Sequence, residues 1–309
     1  MSDSHIIAAL LAHVTSELCA FYLNYDQVKE YASFNGTIRQ LAADILQRSK
    51  ASFRSHANTS VDVDAVIREA EVYIDARTRN DPFNWIASCE DAFPTRLESV
   101  RRPPHVLTFM GNVALFANRS VAIVGARKAC KSGLEASVAL AHAFGSCNVT
   151  VVSGGAFGCD SASHRGALAT VGSTISVMAG GLADLYPTRL RDLFMQIIES
   201  GGLIVSERLF PYRPRPKDFV IRNRIIAGLG DELVLIQANT RSGALITAQY
   251  AIELGKDVYA WQSDHEMDDS FLGNARLIEE GAGILRVSAP TNGSGRRSFE
   301  LIEPGYRRP

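Results

Sequence analysis

Six short apolar segments recur along residues 120–261, and this regularity constrains the fold more than any other feature of the chain. Each segment is rich in Val or Ile and apolar on both faces, as buried parallel strands are. The predicted strands are residues 120–125, 149–153, 173–178, 202–206, 232–237 and 257–261. The predicted helices between them are residues 131–145, 160–171, 188–200, 219–229 and 243–255. Alternation of strands and helices, repeated about every 25–30 residues, predicts an α/β fold with a doubly wound, mostly parallel sheet.

The segment before this alternating region has a different pattern. Apolar residues recur at helical spacing across residues 5–50 and again from Val61 to Ala76. We therefore predict a small helical domain at residues 1–95, followed by the α/β domain at residues 96–287. Residues 288–309 contain Pro, Gly and Arg without a core pattern, so we predict a flexible tail that is too short for a winged-helix domain.

The composition is that of a globular protein with little net charge. Of the 309 residues, 46% are hydrophobic and 21% are charged, and the formal net charge is −1. A protein of this kind that binds a polyanion must concentrate its positive charge locally. Between Val205 and Arg224, six basic residues stand against the two acids Glu207 and Asp218. The six are Arg208, Arg213, Arg215, Lys217, Arg222 and Arg224. This segment is either a binding surface for phosphates or a solvated basic loop.

Other sequence features argue against metal sites and membrane segments. The five cysteines are scattered, and no Cys or His cluster has the spacing of a zinc site. The N-terminus has no signal-peptide pattern, and no run of about 18 apolar residues could cross a membrane. We therefore expect a cytoplasmic protein with reduced thiols, no metal and no membrane partner.

A glycine-rich turn at residues 153–158 follows a predicted strand and precedes a predicted helix. Glycines let a backbone approach a phosphate and present N–H donors to it, so the turn is a candidate anion site. The alternative is a tight turn that needs positive φ. The turn lacks the pattern of an ATP-binding loop, and Gly125-Ala126-Arg127 lacks the spacing of a dinucleotide site. We therefore expect neither ATP hydrolysis of that type nor an NAD cofactor, and we assign no cofactor.

A second candidate anion site lies where Ser242-Gly243 opens a predicted helix, because free N–H groups and the helix dipole attract phosphates. The triplet Arg222-Asn223-Arg224 precedes it in the chain, and Arg127 follows the first predicted strand. Arginine can bind a phosphate through two hydrogen bonds, although Arg127 could also be an ordinary surface residue. Lys217 and Phe219 suit a backbone phosphate and a stacked base, but Phe219 could equally be a core residue.

Asp160 and His164 fall four residues apart on one predicted helix and could be interpreted as a catalytic pair. No nucleophile with a base and an orienting group accompanies them. We therefore interpret Asp160 as a helix N-cap and His164 as a hydrogen-bonded core residue, and we expect no catalysis.

Several motifs stand in a characteristic order along the chain. They are Phe93-Pro94 with Arg101-Arg102-Pro103-Pro104, VAIVGAR at 121–127, SGGAFGCD at 153–160, and RNRIIAGL followed by SGALITA within 218–248. Together they resemble the DprA/Smf family (DNA-processing protein A), across about two thirds of the chain from about Phe93 to Leu285. The chain departs from the family pattern at Cys159, Gln237, Gln262-Ser263 and Ala275, and these departures concern the ligand more than the fold.

The resemblance implies a Rossmann-type domain that binds single-stranded DNA without sequence preference. It also implies protection of incoming DNA, assistance in loading the recombinase RecA during natural transformation, and a homodimer formed through this domain. The candidate contacts with nucleic acid are Gly125, Arg127, Lys128, Ser153, Gly154, Gly155, Gly158, Gly180, Gly181, Lys217, Phe219, Arg222, Asn223, Arg224, Ser242 and Gly243.

Among these candidates we expect Arg222 and Arg224 to be the main phosphate contacts, with Arg127 third. Residues 1–95 lack a comparable basic cluster, so we expect them to be dispensable for binding. Two alternatives stay open. One is a Rossmann-type sensor or binder of a nucleotide derivative, and the other is a protein-interaction module whose active surface is the helical domain.

Overall fold

The computed structural model describes residues 3–19, 25–34, 36–51, 62–79, 84–171, 173–208, 212–262, 268–287 and 299–302. The chain divides into two compact units, residues 1–110 and 111–309. The division falls beyond the boundary predicted after residue 95, because a strand that follows the helices belongs to the first unit. The domain limits 1–95, 96–287 and 288–309 stay a prediction.

The described part of the first unit contains helices and one hairpin. The helices are α1 (Asp3–Cys19), α2 (Tyr25–Lys29), α3 (Ile38–Ala51) and α4 (Val63–Arg79), and the antiparallel strands are β1 (Asn84–Ala87) and β2 (Val106–Gly111). The indole Nε1 of Trp85 donates a hydrogen bond to the carbonyl oxygen of Tyr73 at 2.6 Å, which ties β1 to α4. The predicted helical character is confirmed. The hairpin was not predicted, because its strands are short and their pairing is long-range.

The second unit contains the sheet. Its strands are β3 (Ser120–Val124), β4 (Thr150–Gly154), β5 (Thr174–Met178), β6 (Leu203–Ser206), β7 (Glu232–Leu235), β8 (Asp257–Gln262), β9 (Gly283–Val287) and β10 (Phe299–Ile302). Their order across the sheet is β6-β5-β4-β3-β7-β8-β9-β10. Strands β3 to β9 run parallel to their neighbours, and β10 pairs antiparallel with β9. The predicted doubly wound, mostly parallel sheet is confirmed, including all six predicted strands.

Helices connect these parallel strands. They are α5 (Lys131–Ser146), α6 (Cys159–Leu168), α7 (Arg191–Glu199), α8 (Pro216–Leu229), α9 (Gly243–Glu253) and α10 (Leu272–Glu279). Five of them lie where helices were predicted. Helix α10 and strand β9 were missed, because an eight-residue helix and a five-residue strand give little periodic signal.

The order of the strands positions a ligand site. From β3 the chain proceeds outward through β4, β5 and β6, then returns to the other side of β3 and proceeds through β7, β8 and β9. Ligands of open α/β sheets bind beyond the carboxyl ends of the strands at such a reversal. Val121, Ile123, Val151 and Val234 are at most 1% exposed and form part of the core that holds these central strands together.

Four residues of the predicted tail form a strand, while the flexible character of the tail stays a prediction. Residues 299–302 form β10, whose Phe299 pairs with Val287 of β9. The outer edge of β9 offers unpaired backbone groups, and a segment of apolar strand-forming residues can satisfy them. Residues 288–298 and 303–309 lie outside the described residues. Among the described helices, none has both the length and the apolar character needed to span a membrane.

Candidate nucleic-acid interface

A cavity of about 460 Å³ opens beyond the carboxyl ends of β3 and β7, within the second unit. Most of its wall comes from three segments: residues 124–128 at the end of β3, residues 216–226 of α8, and residues 237–247, which lead into α9; Ala156, Asp160 and Ser270 complete it. The predicted site residues that line it are Gly125, Arg127, Lys128, Phe219, Arg222, Asn223, Ser242 and Gly243. The fold thus brings together half of the candidate residues, from three separate parts of the sequence.

The charged side chains that line the cavity are mostly cations. They are Arg127, Lys128, Arg222 and Arg241, with Asp160 as the one carboxylate among the lining residues. A concave surface with this balance attracts anions, because low-dielectric walls concentrate the field of the cations. The cavity is therefore electropositive, although the whole chain has a formal net charge of −1.

Arg127 is exposed at the rim of the cavity, and an aromatic ring supports it. Its guanidinium carbon lies 4.7 Å from the ring centroid of Phe219, in a cation–π contact. Phe219 is half-buried, and the edge of its ring meets Tyr186 with centroids 6.2 Å apart. Phe219 is therefore neither a pure core residue nor a freely exposed ring. Its position favours a role in holding the Arg127 guanidinium.

Arg222 forms part of the cavity floor and is only 7% exposed. Its Nη1 donates to the carbonyl oxygen of Val177 at the end of β5, and its Nε donates to Asn223 Oδ1 at 3.3 Å. Burial lowers the pKa of Arg222 and nearby Asp160 opposes that shift, so the guanidinium keeps its charge near neutral pH. A cation that the backbone holds in this way is preorganised for an anion.

Asp160 is buried beside Arg222 and also lines the cavity. Burial raises the pKa of its carboxyl to about 7, while Arg222 and the backbone N–H of Ala156 partly oppose that rise. The prediction that Asp160 is the N-cap of its helix is wrong. Gly158 occupies the N-cap position and α6 begins at Cys159, because only glycine adopts the φ of +80° at residue 158 easily.

His164 is hydrogen-bonded, as predicted. Its Nδ1 lies 2.8 Å from Thr174 Oγ1, and its Nε2 lies 3.2 Å from the carbonyl oxygen of Gly154. Burial lowers the pKa of His164 to about 4, so the imidazole is neutral at physiological pH. Its contacts are those of a core residue.

The glycine-rich turn supports the cavity floor more than it lines the cavity. Of residues 153–158 only Ala156 lines the cavity. Ser153 Oγ donates to the carbonyl oxygen of Ile123 at 2.6 Å. A Cβ at Gly154 would lie 2.6 Å from Asp160 Oδ2 and 2.7 Å from Arg222 Nη2, so glycine is needed for these two groups to pack. The positive φ of Gly158 agrees with the tight-turn alternative.

Three other candidate glycines also have packing roles. A Cβ at Gly155 would meet Met178 and Phe194, which places this residue against the core. Gly180 packs against Pro214, and the N–H of Gly181 donates to the carbonyl oxygen of Tyr212 at 2.8 Å. The pair Gly180-Gly181 therefore lies outside the cavity and anchors the segment that leads into α8.

The structure divides the basic cluster of residues 205–224 into an internal group and an exposed group. Arg208 pairs with buried Asp218 at 2.8 Å, and Arg224 pairs with Glu207. Arg222 lies at the cavity floor. The exposed members are Arg213, Arg215 and Lys217, which do not line the cavity. The cluster is thus partly internal, and its exposed part lies at the start of α8.

The prediction that Arg222 and Arg224 are the main phosphate contacts, with Arg127 third, does not fit this geometry for Arg224. Both lie inside α8, where residues two apart point to different sides of the helix. Arg222 faces the cavity, whereas Arg224 is 6% exposed and does not line the cavity. The alternative role, an ion pair with Glu207 inside the fold, describes Arg224.

The N-terminus of α9 meets the cavity. Ser242 is its N-cap, with Oγ accepting from the N–H of Ala244 at 3.3 Å. Asn223 Nδ2 donates to the carbonyl oxygen of Gly243 at 3.2 Å and links α8 to this turn. Gly243 is exposed, and apart from its chain neighbours and its own helix no atom lies within 4 Å of the position where its Cβ would be. This helix start can therefore receive an anion.

Sequence reasoning missed several residues of the cavity and its supports. Arg241 is exposed on the wall. Gln237 accepts from the N–H of Cys130 at 2.9 Å and donates to Ser270 Oγ at 2.6 Å. Asn274 accepts from the N–H of Ala238 at 2.8 Å and donates to three backbone carbonyls. Arg241 could have been found from its place between a predicted strand and helix, whereas the amide contacts are long-range.

Comparison of this sequence with known proteins identifies one family. Residues 84–291 match the family of the DNA recombination-mediator protein A. The chain is 35% identical over 197 residues to Protein Smf of Synechocystis sp., covering 62% of this chain and 49% of that protein. The chain thus spans about half the length of this relative.

Solved structures agree with that match. The X-ray structure of DNA processing protein A from Streptococcus pneumoniae superposes with a TM-score of 0.72 and 27% identity, over 92% of this chain and 95% of that chain. A DNA processing protein A from Helicobacter pylori, whose structure concerns its single-stranded DNA binding mode, matches with a TM-score of 0.57 and 27% identity. That match covers 64% of this chain and 87% of the other. The chain therefore belongs to the family of the DNA recombination-mediator protein A, which is the DprA/Smf family.

Proposed function

We propose that this protein binds single-stranded DNA without sequence preference in the cavity between β3, α8 and α9. The observation that carries the proposal is the convergence of Arg127, Lys128, Arg222 and Arg241 on one concave surface. Phosphates are present at every nucleotide, so binding through them is independent of base sequence. The Helicobacter pylori relative has a single-stranded DNA binding mode, which supports this choice of ligand.

The form of the cavity favours a thin strand. With about 460 Å³, it has room for a nucleotide unit and is too small to receive a duplex. A single strand can bend its backbone so that one phosphate enters between Arg127 and the start of α9. We therefore expect tighter binding of single-stranded than of double-stranded DNA.

The proposed cellular role is the one that the family resemblance implies. The protein protects incoming DNA and assists the loading of RecA during natural transformation, in the cytoplasm and as a homodimer. Family membership and the family resemblance are the support for the RecA contact, for the homodimer and for this localisation. No catalytic step is assigned: His164 is a hydrogen-bonded core residue, and Asp160, which lines the cavity, is buried beside Arg222.

A second candidate function is the binding of a nucleotide derivative. The buried pair Asp160 and Arg222 at the floor of the cavity favours it, since both groups could contact a single small ligand. The two functions differ in length dependence. A nucleotide binder gains little from a longer strand, whereas a DNA binder gains affinity as more phosphates are contacted.

Fluorescence anisotropy with a labelled single-stranded oligonucleotide, its duplex and a panel of competing mononucleotides tests the proposal. We expect the single strand to bind tightest and mononucleotides to compete only weakly. Arg127→Ala should weaken binding and reduce the slope of log affinity against log salt by roughly 0.7 for each lost phosphate contact. Arg165→Ala is the matched control, because Arg165 is exposed on α6 and does not line the cavity. Equal affinity for single strand and duplex, or tighter binding of a mononucleotide, would contradict the proposal.

A further inference from the structure

Two exposed aromatic rings lie beside the cavity. Among the residues that the structure describes, the exposed Phe, Tyr and Trp side chains are Phe157 at 41% and Tyr186 at 47%. A single exposed apolar residue needs no explanation. These two are different, because Phe157 belongs to a turn that packs on the loop of Arg127, and Tyr186 contacts Phe219, whose ring supports Arg127.

Phe157 belongs to the turn that packs on the loop of Arg127. The residue before it, Ala156, lines the cavity. Two residues further on, the N–H of Cys159 donates to the carbonyl oxygen of Ala126 at 3.1 Å, so the turn lies directly against residues 126–127. Phe157 is exposed in this turn, next to the cavity-lining Ala156 in the chain.

Tyr186 lies on the other side of the same pair. Its ring meets the edge of Phe219, whose own ring carries the Arg127 guanidinium. The contacts therefore run from the Phe157 turn to Arg127, then to Phe219, then to Tyr186. Because Arg127 already contacts the Phe219 ring and Phe219 is half-buried, Phe157 and Tyr186 are the rings that a base could reach.

Positive charge continues beyond Tyr186. The loop that carries Tyr186 begins near Gly181, whose N–H is bonded to the carbonyl oxygen of Tyr212. The exposed residues Arg213, Arg215 and Lys217 follow directly along the chain. A strand that leaves the cavity over Tyr186 therefore meets further cations for its phosphates.

We propose that Phe157 and Tyr186 stack bases of the two nucleotides that flank the one whose phosphate Arg127 binds. This inference rests on the proposed function and adds to it a base-contacting track longer than the cavity. Every base has a flat face that can stack on an aromatic ring, so the contact is independent of sequence. The protein should then distinguish a strand with bases from a bare sugar–phosphate chain.

The test compares a 15-nucleotide thymidine oligonucleotide with an oligonucleotide of the same length made of abasic residues. Affinities are measured for the unsubstituted protein and for Phe157→Leu, Tyr186→Leu, Tyr186→Phe and Arg127→Ala, with thermal unfolding as a check of folding. Val171→Ala is the matched control, because Val171 is 84% exposed and does not line the cavity.

We expect each Leu variant to bind the thymidine oligonucleotide about 5- to 150-fold more weakly, as loss of one stacked base implies. The salt slope should not change, because no charge is removed. The Leu variants should bind the abasic oligonucleotide with the same affinity as the unsubstituted protein. Tyr186→Phe and Val171→Ala should bind both oligonucleotides with the affinities of the unsubstituted protein. Should a Leu variant fail to fold, the affinities of the unsubstituted protein for the thymidine and abasic oligonucleotides still test the inference, because equal values would overturn it.

Equal affinity of the unsubstituted protein for the thymidine and abasic oligonucleotides would overturn the inference. Leu variants that bind thymidine within twofold of the unsubstituted protein would overturn it as well. In either case a loss of affinity in Arg127→Ala would leave the proposed function standing. Absence of binding to any single strand would instead remove the proposed function and this inference with it.

Discussion

Replacing Arg224 by methionine should destabilise the protein without changing how it contacts phosphate. The Arg224 side chain is 7% exposed and that of its partner Glu207 is 16% exposed, so the ion pair is largely removed from water. Arg224 Nη1 also donates to the carbonyl oxygen of Ile221 at 3.2 Å. Methionine keeps much of the side-chain volume and removes the charge, which leaves Glu207 without its guanidinium.

The size of the destabilisation follows from the removal of one partner of the ion pair between Arg224 and Glu207. Removing one partner of a buried ion pair costs about 3–5 kcal/mol in the free energy of unfolding, and the remaining exposure of Glu207 places the cost near the lower end. For a folding unit of this size, each kcal/mol lowers the melting temperature by roughly 2–4 °C. We therefore expect Arg224→Met to melt roughly 6–12 °C below the unsubstituted protein.

Thermal unfolding and the salt dependence of DNA binding, measured on the same samples, check this expectation. The melting temperature should fall while the slope of log affinity against log salt stays unchanged. Adding Glu207→Gln to Arg224→Met should recover part of the loss, because the carboxylate that faced the lost guanidinium is then replaced by a neutral amide. Arg127→Ala should behave in the opposite way, with a reduced slope and a nearly unchanged melting temperature. An unchanged melting temperature together with a slope reduced by about 0.7 in Arg224→Met would refute the assignment of Arg224 to the fold.

Two further predictions concern Asp160 and Lys256. Burial raises the pKa of Asp160 from its ordinary 3.8 to about 7, so its contribution to stability is fully present below pH 3.8 and is lost as the pH rises through 7. Between pH 8 and pH 6 this carboxyl gains a proton beside Arg222 and Arg127, while His164 stays neutral. Because a negative charge is lost from the cavity, single-stranded DNA should bind more tightly at pH 6 than at pH 8. Asp160→Asn should abolish that pH dependence when affinity is measured across this range. Lys256 Nζ donates to the carbonyl oxygens of Ala227, Gly228 and Gly230 at 2.8, 2.7 and 2.5 Å at the end of α8. Lys256→Met should therefore cost about 1.5–3 kcal/mol in chemical denaturation, and equal stability with the exposed-site control Lys131→Met would contradict this.

The secondary structure of the α/β region could be predicted because its signals are local. Segments such as 120–125 and 149–153 are apolar on both faces, and only burial in a parallel sheet between helices accounts for that pattern. The hairpin of β1 and β2 and the strand β10 were missed, because they are short and their pairing is decided by a partner elsewhere in the chain. Local periodicity contains no information about such partners.

The sequence by itself determined the fold class and the excess of basic residues between Val205 and Arg224. Only the tertiary structure decided that the cavity lies at the ends of β3 and β7 and which arginines face it. Arg222 and Arg224 are separated by about 200° around α8, since a helix turns once in 3.6 residues. Arg222 therefore reaches the cavity, and Arg224 reaches Glu207. The position of Glu207 depends on how β6 and α8 pack together.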